Sequence, residues 1–214
     1  MAAFQRTLVY IPIVHTQSDM GGLGKSVQQA TIRELGVKAW RHKMRAVDQM
    51  WTEIERAVET MQLAYDRVRL YQDGLPISGK EDAIVRELAD RGSRNHRLLL
   101  RLMEKGATIM GTESPEMLLR EYEQVKRSAG RRRAGRPKSH ETSEADAWGS
   151  DGTLLERRNQ FIAHRINTTL KPGETGLLFI GMLHTLENLL DQDIQVICPM
   201  RPAWPVGNQD QWKN

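Results

Sequence analysis

The stretch Gly176-Leu177-Leu178-Phe179-Ile180-Gly181-Met182-Leu183-His184 places a short apolar run between two glycines. A run of this length with glycines at both ends is typical of a buried β-strand, because a buried helix needs about ten residues or more. His184 then stands at the carboxyl end of that strand, the edge at which open α/β sheets bind their ligands. The stretch therefore predicts a core strand and a functional edge beside it.

Four further apolar runs have the length of strands, and most of the segments between them show helical periodicity. The longest helical pattern covers residues 38–66, and we expect the domain to contain a helical insertion. Helices between successive strands predict an α/β fold with a mainly parallel central sheet flanked by helices. A turn is predicted at residues 73–76 and a short helix at residues 184–190. The four further strands are predicted at residues 8–14, 68–72, 107–110 and 194–198.

The composition fits one globular domain. The chain has 214 residues, of which 39% are hydrophobic and 27% are charged, so we expect a single α/β domain over residues 1–214. No apolar run approaches the roughly 20 residues that cross a membrane, and residues 1–6 do not resemble a signal peptide. The lone Cys198 fits a reducing compartment. These features predict a cytoplasmic protein that makes no membrane contact.

Two segments differ from the rest in composition. Residues 126–138 are basic and residues 139–150 are polar and acidic, which predicts a flexible, disordered basic/polar loop over residues 126–150. The C-terminal tail, residues 199–214, contains Trp204 and Trp212. We expect this tail to lie across the surface or to pack on a partner, which makes a homodimer possible.

A polar residue follows each of four predicted strands: His15, Asp73, Glu113 and His184. If the strands are parallel, these side chains lie along one edge of the sheet. Two imidazoles and two carboxylates could hold a divalent metal ion of unknown identity, or could act as acid and base without a metal. The structural alternative is that Asp73 opens a turn with Gly74 and that Glu113 stabilises the first turn of a helix.

The motif Glu156-Arg157-Arg158-Asn159, followed by Gly181-Met182-Leu183-His184, resembles the TraB, Tiki, ChaN and erythromycin esterase-like superfamily. Its members pair an early Gly-x-x-His with a later Glu-Arg and a second Gly-x-x-His. His15 stands where the first histidine belongs, although Pro12 replaces the glycine.

The resemblance implies a hydrolase that acts on a small molecule or a peptide, either with or without a bound metal ion. It implies catalytic roles for His15, His184, Glu156 and Arg157. In that hypothesis Arg157 or Arg158 holds an anionic group of the substrate or of the transition state.

Two other features indicate a different class of function. The segment Gly21-Gly22-Leu23-Gly24-Lys25-Ser26 resembles the phosphate loop of nucleotide hydrolases, but Asp19 stands where the standard spacing requires glycine. The basic residues 126–138 could bind nucleic acid electrostatically. The alternative hypothesis is therefore a nucleotide-binding or nucleic-acid-binding regulatory protein.

Overall fold

A computed structural model of the chain describes residues 6–16, 19, 24–123 and 152–199. The described residues contain five strands in one sheet, in the order β3-β2-β4-β1-β5, and every pair of neighbours is parallel. The predicted α/β class with a parallel central sheet is thus confirmed. The strands are β1 (Arg6–Ile13), β2 (Val68–Pro76), β3 (Thr108–Glu113), β4 (Thr175–Gly181) and β5 (Ile194–Ile197).

Helices connect most of the strands and cover the sheet. The first of them, α1, is interrupted at Gly36, whose φ of 81° and ψ of 159° are not helical. Among the helices that the structure describes, none is long and apolar enough to span a membrane. The helices are α1 (Gly24–Thr60), α2 (Glu81–Asp90), α3 (Arg94–Glu104), α4 (residues 115–123) and α5 (Gly152–Thr169), with 3₁₀ turns at Tyr65–Arg67 and Glu187–Leu189.

The core has two parts, one on each face of the sheet. Side chains that alternate along β1 and β4 point to opposite faces, as expected for strands buried on both sides. On one face, α1, α2 and α3 pack on Val9, Ile11 and Phe179, with Trp51 of α1 fully buried. On the other face, α5 packs its buried residues against the strands. These residues of α5 are Ile162, Ala163 and Ile166.

Two local predictions were wrong. Residues 73–76 do not form a turn: they belong to β2, where Asp73 and Leu75 are buried and Pro76 pairs with Glu113 of β3. The register with β3 shifts between Gln72 and Pro76, so the tendency of Asp-Gly to bend the chain is absorbed as an irregularity within the strand.

The predicted helix at residues 184–190 is also replaced by other structure. A tight turn follows β4, in which the N–H of His184 donates to the carbonyl of Gly181 at 3.1 Å. Only Glu187–Leu189 is helical, as a single 3₁₀ turn. His184 therefore lies in a segment without regular secondary structure between two turns.

Several predicted features lie outside the described residues. These are the basic/polar loop at 126–150, including its nucleic-acid segment 126–138, and the tail beyond Pro199. Gly21, Gly22 and Leu23 of the phosphate-loop-like segment are also outside, as are the side chains of Lys25 and Ser26.

A substitution at Gly176 tests how tightly the centre of the sheet is packed. Gly176 lies opposite Leu8 of β1, and a Cβ at this position would come within 2.7 Å of Leu8 Cδ1 and 3.1 Å of Tyr71 Cε2. Both neighbours are fully buried, so we expect Gly176→Ala to lower the free energy of unfolding by about 1–3 kcal/mol in urea unfolding. Adding Leu8→Ala should cost less in the Gly176→Ala background than in the wild type. Strict additivity would contradict the predicted clash.

Candidate functional site

The order of the strands brings the four predicted polar residues to one stretch of the carboxyl edge. Asp73 lies within β2 and Glu113 ends β3, while His15 and His184 follow β1 and β4. Because β3, β2, β4 and β1 are successive neighbours, these residues line adjacent positions at the same edge. The structure places both histidines next to Asp73, and it links Glu113 to Asp73 through an arginine.

Asp73 is the centre of the site. One of its oxygens, Oδ2, accepts a hydrogen bond from the backbone N–H of Gly181 at 3.0 Å and lies 3.0 Å from Nε2 of His15. Nε2 of His184 lies 3.5 Å from the same oxygen. The other oxygen, Oδ1, accepts from Nη2 of Arg158 at 2.8 Å. All these partners surround a carboxylate whose side chain is only 4% exposed.

These contacts keep Asp73 ionised. Burial alone would raise the pKa of its carboxyl group. The hydrogen bond from His15 opposes this effect, and so do the positive charges of His15 and Arg158. The result is a pKa of Asp73 well below its usual range, so the group is a carboxylate at any pH near neutrality.

Arg158 is fully occupied by protein carboxylates. A guanidinium group has five N–H donors, and Arg158 makes five hydrogen bonds. Nη2 contacts Asp73 at 2.8 Å and Glu113 at 2.7 Å, Nε contacts Glu113 at 3.3 Å, and Nη1 contacts both oxygens of Glu121 at 2.9 Å. This arginine therefore fixes the site from within, and its donors are not left for a substrate anion.

One guanidinium among three carboxylates leaves an excess of negative charge. The net pKa of Glu113 is raised to about 7. Burial is the largest cause of the rise, the attraction of Arg158 opposes it, and the charge of Asp73 adds to it. The pKa of Glu121 is also raised, first by burial and then by Asp73, against Arg158. Since Asp73 is the carboxylate with the most partners, we infer that Glu113 is the group that takes up a proton near neutral pH.

The pKa values of the two histidines are shifted in opposite directions although both rings face the same oxygen. Burial opposes protonation of His15, but the hydrogen bond and the charge of Asp73 outweigh it and raise the pKa of His15. For His184, burial and the charges of Arg158 and His15 lower the pKa to about 4, against the attraction of Asp73. His184 is thus a neutral imidazole at pH 7.

A hydrogen bond to Asn159 selects one tautomer of His184. Nδ1 of His184 lies 2.6 Å from Oδ1 of Asn159, and an amide oxygen can only accept. With the amide oriented in this way, the ring proton is on Nδ1 and the lone pair is on Nε2, the nitrogen nearer Asp73. The orientation of the ring is therefore set by a residue of α5.

The residues predicted from the Glu-Arg motif lie elsewhere. Glu156 and Arg157 are exposed on α5, whereas Arg158 and Asn159 are buried and contact the site. Arg158 lies four residues before the core residue Ile162 and so shares its face of the helix. That spacing is the signal in the sequence that could have identified Arg158 as the inward-facing arginine.

Gly181 is a further residue of the site that the prediction used only as part of a motif. Its N–H donates to Asp73, and a Cβ at this position would lie 3.0 Å from Asp73 Oδ2. The same Cβ would be 3.7 Å from Cδ2 of His184 and 3.8 Å from Nε2 of His15. Glycine at position 181 therefore allows the strand end, the carboxylate and both imidazoles to meet.

The four predicted metal ligands do not assemble into one centre. Both oxygens of Glu113 and one oxygen of Asp73 are directed at Arg158, a cation that occupies the place a metal would need. His184 alone has the arrangement common in metal-bound histidine, with one ring nitrogen held by an outer partner. Within the described part of the chain, no group of three or more His, Cys, Asp or Glu residues is placed to hold a metal ion.

Comparison of the chain with models of protein families, with curated proteins and with solved structures finds no match in any of the three. The resemblance to the TraB, Tiki, ChaN and erythromycin esterase-like superfamily therefore stays a prediction. The function of the site has to be argued from its own geometry.

Replacing Arg158 tests its role as the counter-charge of the site. Arg158→Met leaves buried carboxylates without a partner, so we expect it to lower the free energy of unfolding at pH 7 by about 3–5 kcal/mol. Without the cation the pKa values of these carboxyl groups rise, and the loss of stability should shrink as the pH falls towards 5. Arg157→Met, one residue away and exposed, is the matched control and should be nearly neutral. Equal effects of the two variants would contradict this role.

Glu113 should give the folded protein a measurable pH dependence. Its pKa is raised from 4.5 to about 7, so its contribution to stability is complete below pH 4.5 and is lost as the pH rises towards and past 7. Glu113→Gln should therefore flatten the decline of stability between pH 5 and 8 by about 1–3 kcal/mol. Glu116→Gln, an exposed residue of α4, should leave the slope unchanged. An unchanged slope in Glu113→Gln would show that Glu113 does not titrate in this range.

Proposed function

We propose that the protein is a hydrolase in which His15 is the general base and Asp73 holds it in place. The observation that carries this proposal is the 3.0 Å hydrogen bond between an imidazole that is 26% exposed and a carboxylate that is 4% exposed. A buried carboxylate behind a solvent-facing histidine fixes the ring and stabilises its protonated form, which is how serine and cysteine hydrolases prepare their base.

The geometry supports a specific direction of proton transfer. Because Nε2 of His15 is bound to Asp73, the other ring nitrogen, Nδ1, is the one that removes a proton from water. The resulting hydroxide attacks the carbonyl carbon of an ester or amide, the bond to the leaving group breaks, and His15 returns its proton to that group. One water is consumed, and one acid and one alcohol or amine are released.

The other residues prepare this pair. Arg158 holds Asp73 through Oδ1, so the carboxylate can neither rotate nor lose its charge. Glu113 is fully buried and acts through Arg158, which makes it a positioning residue. His184, neutral and fixed by Asn159, lies 3.5 Å from Asp73 and places an unprotonated ring nitrogen beside the reacting pair.

The charge of the site favours an uncharged substrate. All the donors of Arg158 are bound to carboxylates of the protein, which argues against an anionic substrate group held there. A neutral ester or a peptide bond needs no such counter-charge. We therefore propose a small-molecule ester or a peptide as the substrate class.

The first test is hydrolysis of a panel of p-nitrophenyl esters and short peptide anilides. His15→Ala should lower kcat/KM by about 10²- to 10⁴-fold, the usual contribution of a general base. His164→Ala, an exposed histidine of α5 outside the site, is the matched control and should retain full activity. In the wild type kcat/KM should rise with pH through a pKa above 6.5, since only neutral His15 accepts a proton. Equal losses in the two histidine variants would exclude the proposal.

Metal dependence is tested in the same assay. The divalent metal implied by the family resemblance stays a prediction, as do the cytoplasmic location and a homodimer. Treatment with a chelator, followed by metal analysis of the purified protein, separates a metal hydrolase from an acid–base hydrolase. Unchanged activity and no bound metal are expected for the mechanism proposed above, and activity restored only by added metal would contradict it.

A further inference from the structure

We infer that Asp19 is a positioning residue for His15: its buried carboxylate ties the loop after β1 to the start of α3 and thereby holds the imidazole against Asp73. The catalytic importance of this tie rests on the role proposed for His15. The hydrogen bonds that form this tie do not depend on that role, and they can be tested without any enzyme assay.

The first half of the tie fixes the backbone next to His15. Oδ2 of Asp19 accepts from the backbone N–H of Thr16 at 2.6 Å and from its hydroxyl at 2.8 Å. The N–H of Thr16 belongs to the peptide plane that begins at the carbonyl of His15, so the orientation of this plane sets the backbone angle ψ of His15. On the other side, Ile13 is 1% exposed in the core. His15 is therefore held between two fixed points.

The second half anchors Asp19 to a helix end that is itself fixed. The hydroxyl of Ser93 donates to Oδ1 of Asp19, and Ser93 is the N-cap of α3, where it accepts from the backbone N–H of His96 at 3.1 Å. Ser93 is completely buried, and α3 packs Leu98 and Leu99 into the core. Thr16 and Asp19 thus take their position from the core through one serine.

Proton counting fixes the direction of each hydrogen bond in this cluster. Ser93 has one hydroxyl proton, and the carboxylate of Asp19 can only accept, so that proton goes to Asp19. Nδ1 of His96, 2.7 Å from Oγ of Ser93, must then be the donor in that contact. Every proton then has a defined acceptor, and Asp19 accepts from both Thr16 and Ser93.

The buried charge of Asp19 is compensated by these bonds. Burial raises the pKa of Asp19, but the ring of His96, whose Nδ1 lies 3.6 Å from Oδ1, and the hydrogen bonds of Ser93 and Thr16 outweigh it, and the net pKa lies below the ordinary value. The side chain is 2% exposed and ionised at neutral pH. This carboxylate occupies the position at which a phosphate loop would need glycine, and it is directed at α3.

The experiment compares Asp19→Ala with Asp19→Asn by NMR at neutral pH. The alanine variant removes the acceptor, so exchange of the Thr16 amide proton should accelerate at least about tenfold, the usual effect of losing a hydrogen bond to a charged group. The hydrogen-bonded Nε2 proton of His15 should lose its signal at the same time. Asparagine retains one oxygen for Thr16, and its NH₂ group can donate to Ser93 once the Ser93 hydroxyl turns to Nδ1 of His96 in the other tautomer of that ring. Both signals should therefore be restored to near the wild-type pattern.

Controls keep the inference falsifiable. Asp90→Ala, an exposed residue at the end of α2, should change neither signal. If Asp19→Ala does not fold, Thr16→Val, which keeps the amide donor but loses the hydroxyl donor, should give a smaller acceleration and a weakened His15 signal. An unchanged His15 proton in a folded Asp19→Ala variant overturns the inference, and so does loss of that proton in Asp19→Asn while the Thr16 amide stays protected. Failure of ester hydrolysis in the wild type would leave these NMR outcomes intact.

Discussion

The buried pair of Asp73 and Arg158 is the interaction on which the site depends. Removing two charges from water costs several kcal/mol per ion, and their attraction offsets that cost only when further hydrogen bonds satisfy both groups. Here Asp73 also accepts from Gly181 and contacts His15, and Arg158 uses all five of its donors. Buried ion pairs add little stability over an apolar core, so their position at the ligand-binding edge of the sheet argues for a functional reason.

The same pair gives two similar side chains different chemistry. His15 is partly exposed and bonded to Asp73, which favours its charged form. His184 is more deeply buried and feels the positive charges of Arg158 and His15, so it remains neutral. Environments that separate the pKa values of neighbouring groups are the usual way in which enzymes obtain an acid and a base from one kind of residue. One carboxylate therefore provides an asymmetric site.

Sequence patterns predicted the position of the site better than the contacts between its side chains. The buried run before His184 and the helices between strands were sufficient for a parallel sheet, and the sheet edge then implied His15, Asp73 and Glu113 as neighbours. The choice between Arg157 and Arg158 depends on the rotation of α5, which the packing of Ile162 determines and which the four-residue spacing from Arg158 to Ile162 indicates. The turn expected at residues 73–76 failed because pairing with β3 outweighs the local preference of Asp-Gly.

Two residues outside the reacting pair explain why the loops at this edge are held so closely. Gly181 brings its N–H to Asp73 because it has no Cβ to keep the strand end away. Asp19 fixes the peptide unit after His15 by offering an acceptor where the chain would otherwise be free to turn. Both act on the backbone, and catalytic geometry has to be held to within about half an ångström. The residue types at 19 and 181 follow from that requirement, which is why a phosphate-loop pattern and a Gly-x-x-His pattern are poor guides to their role when the contacts are not known.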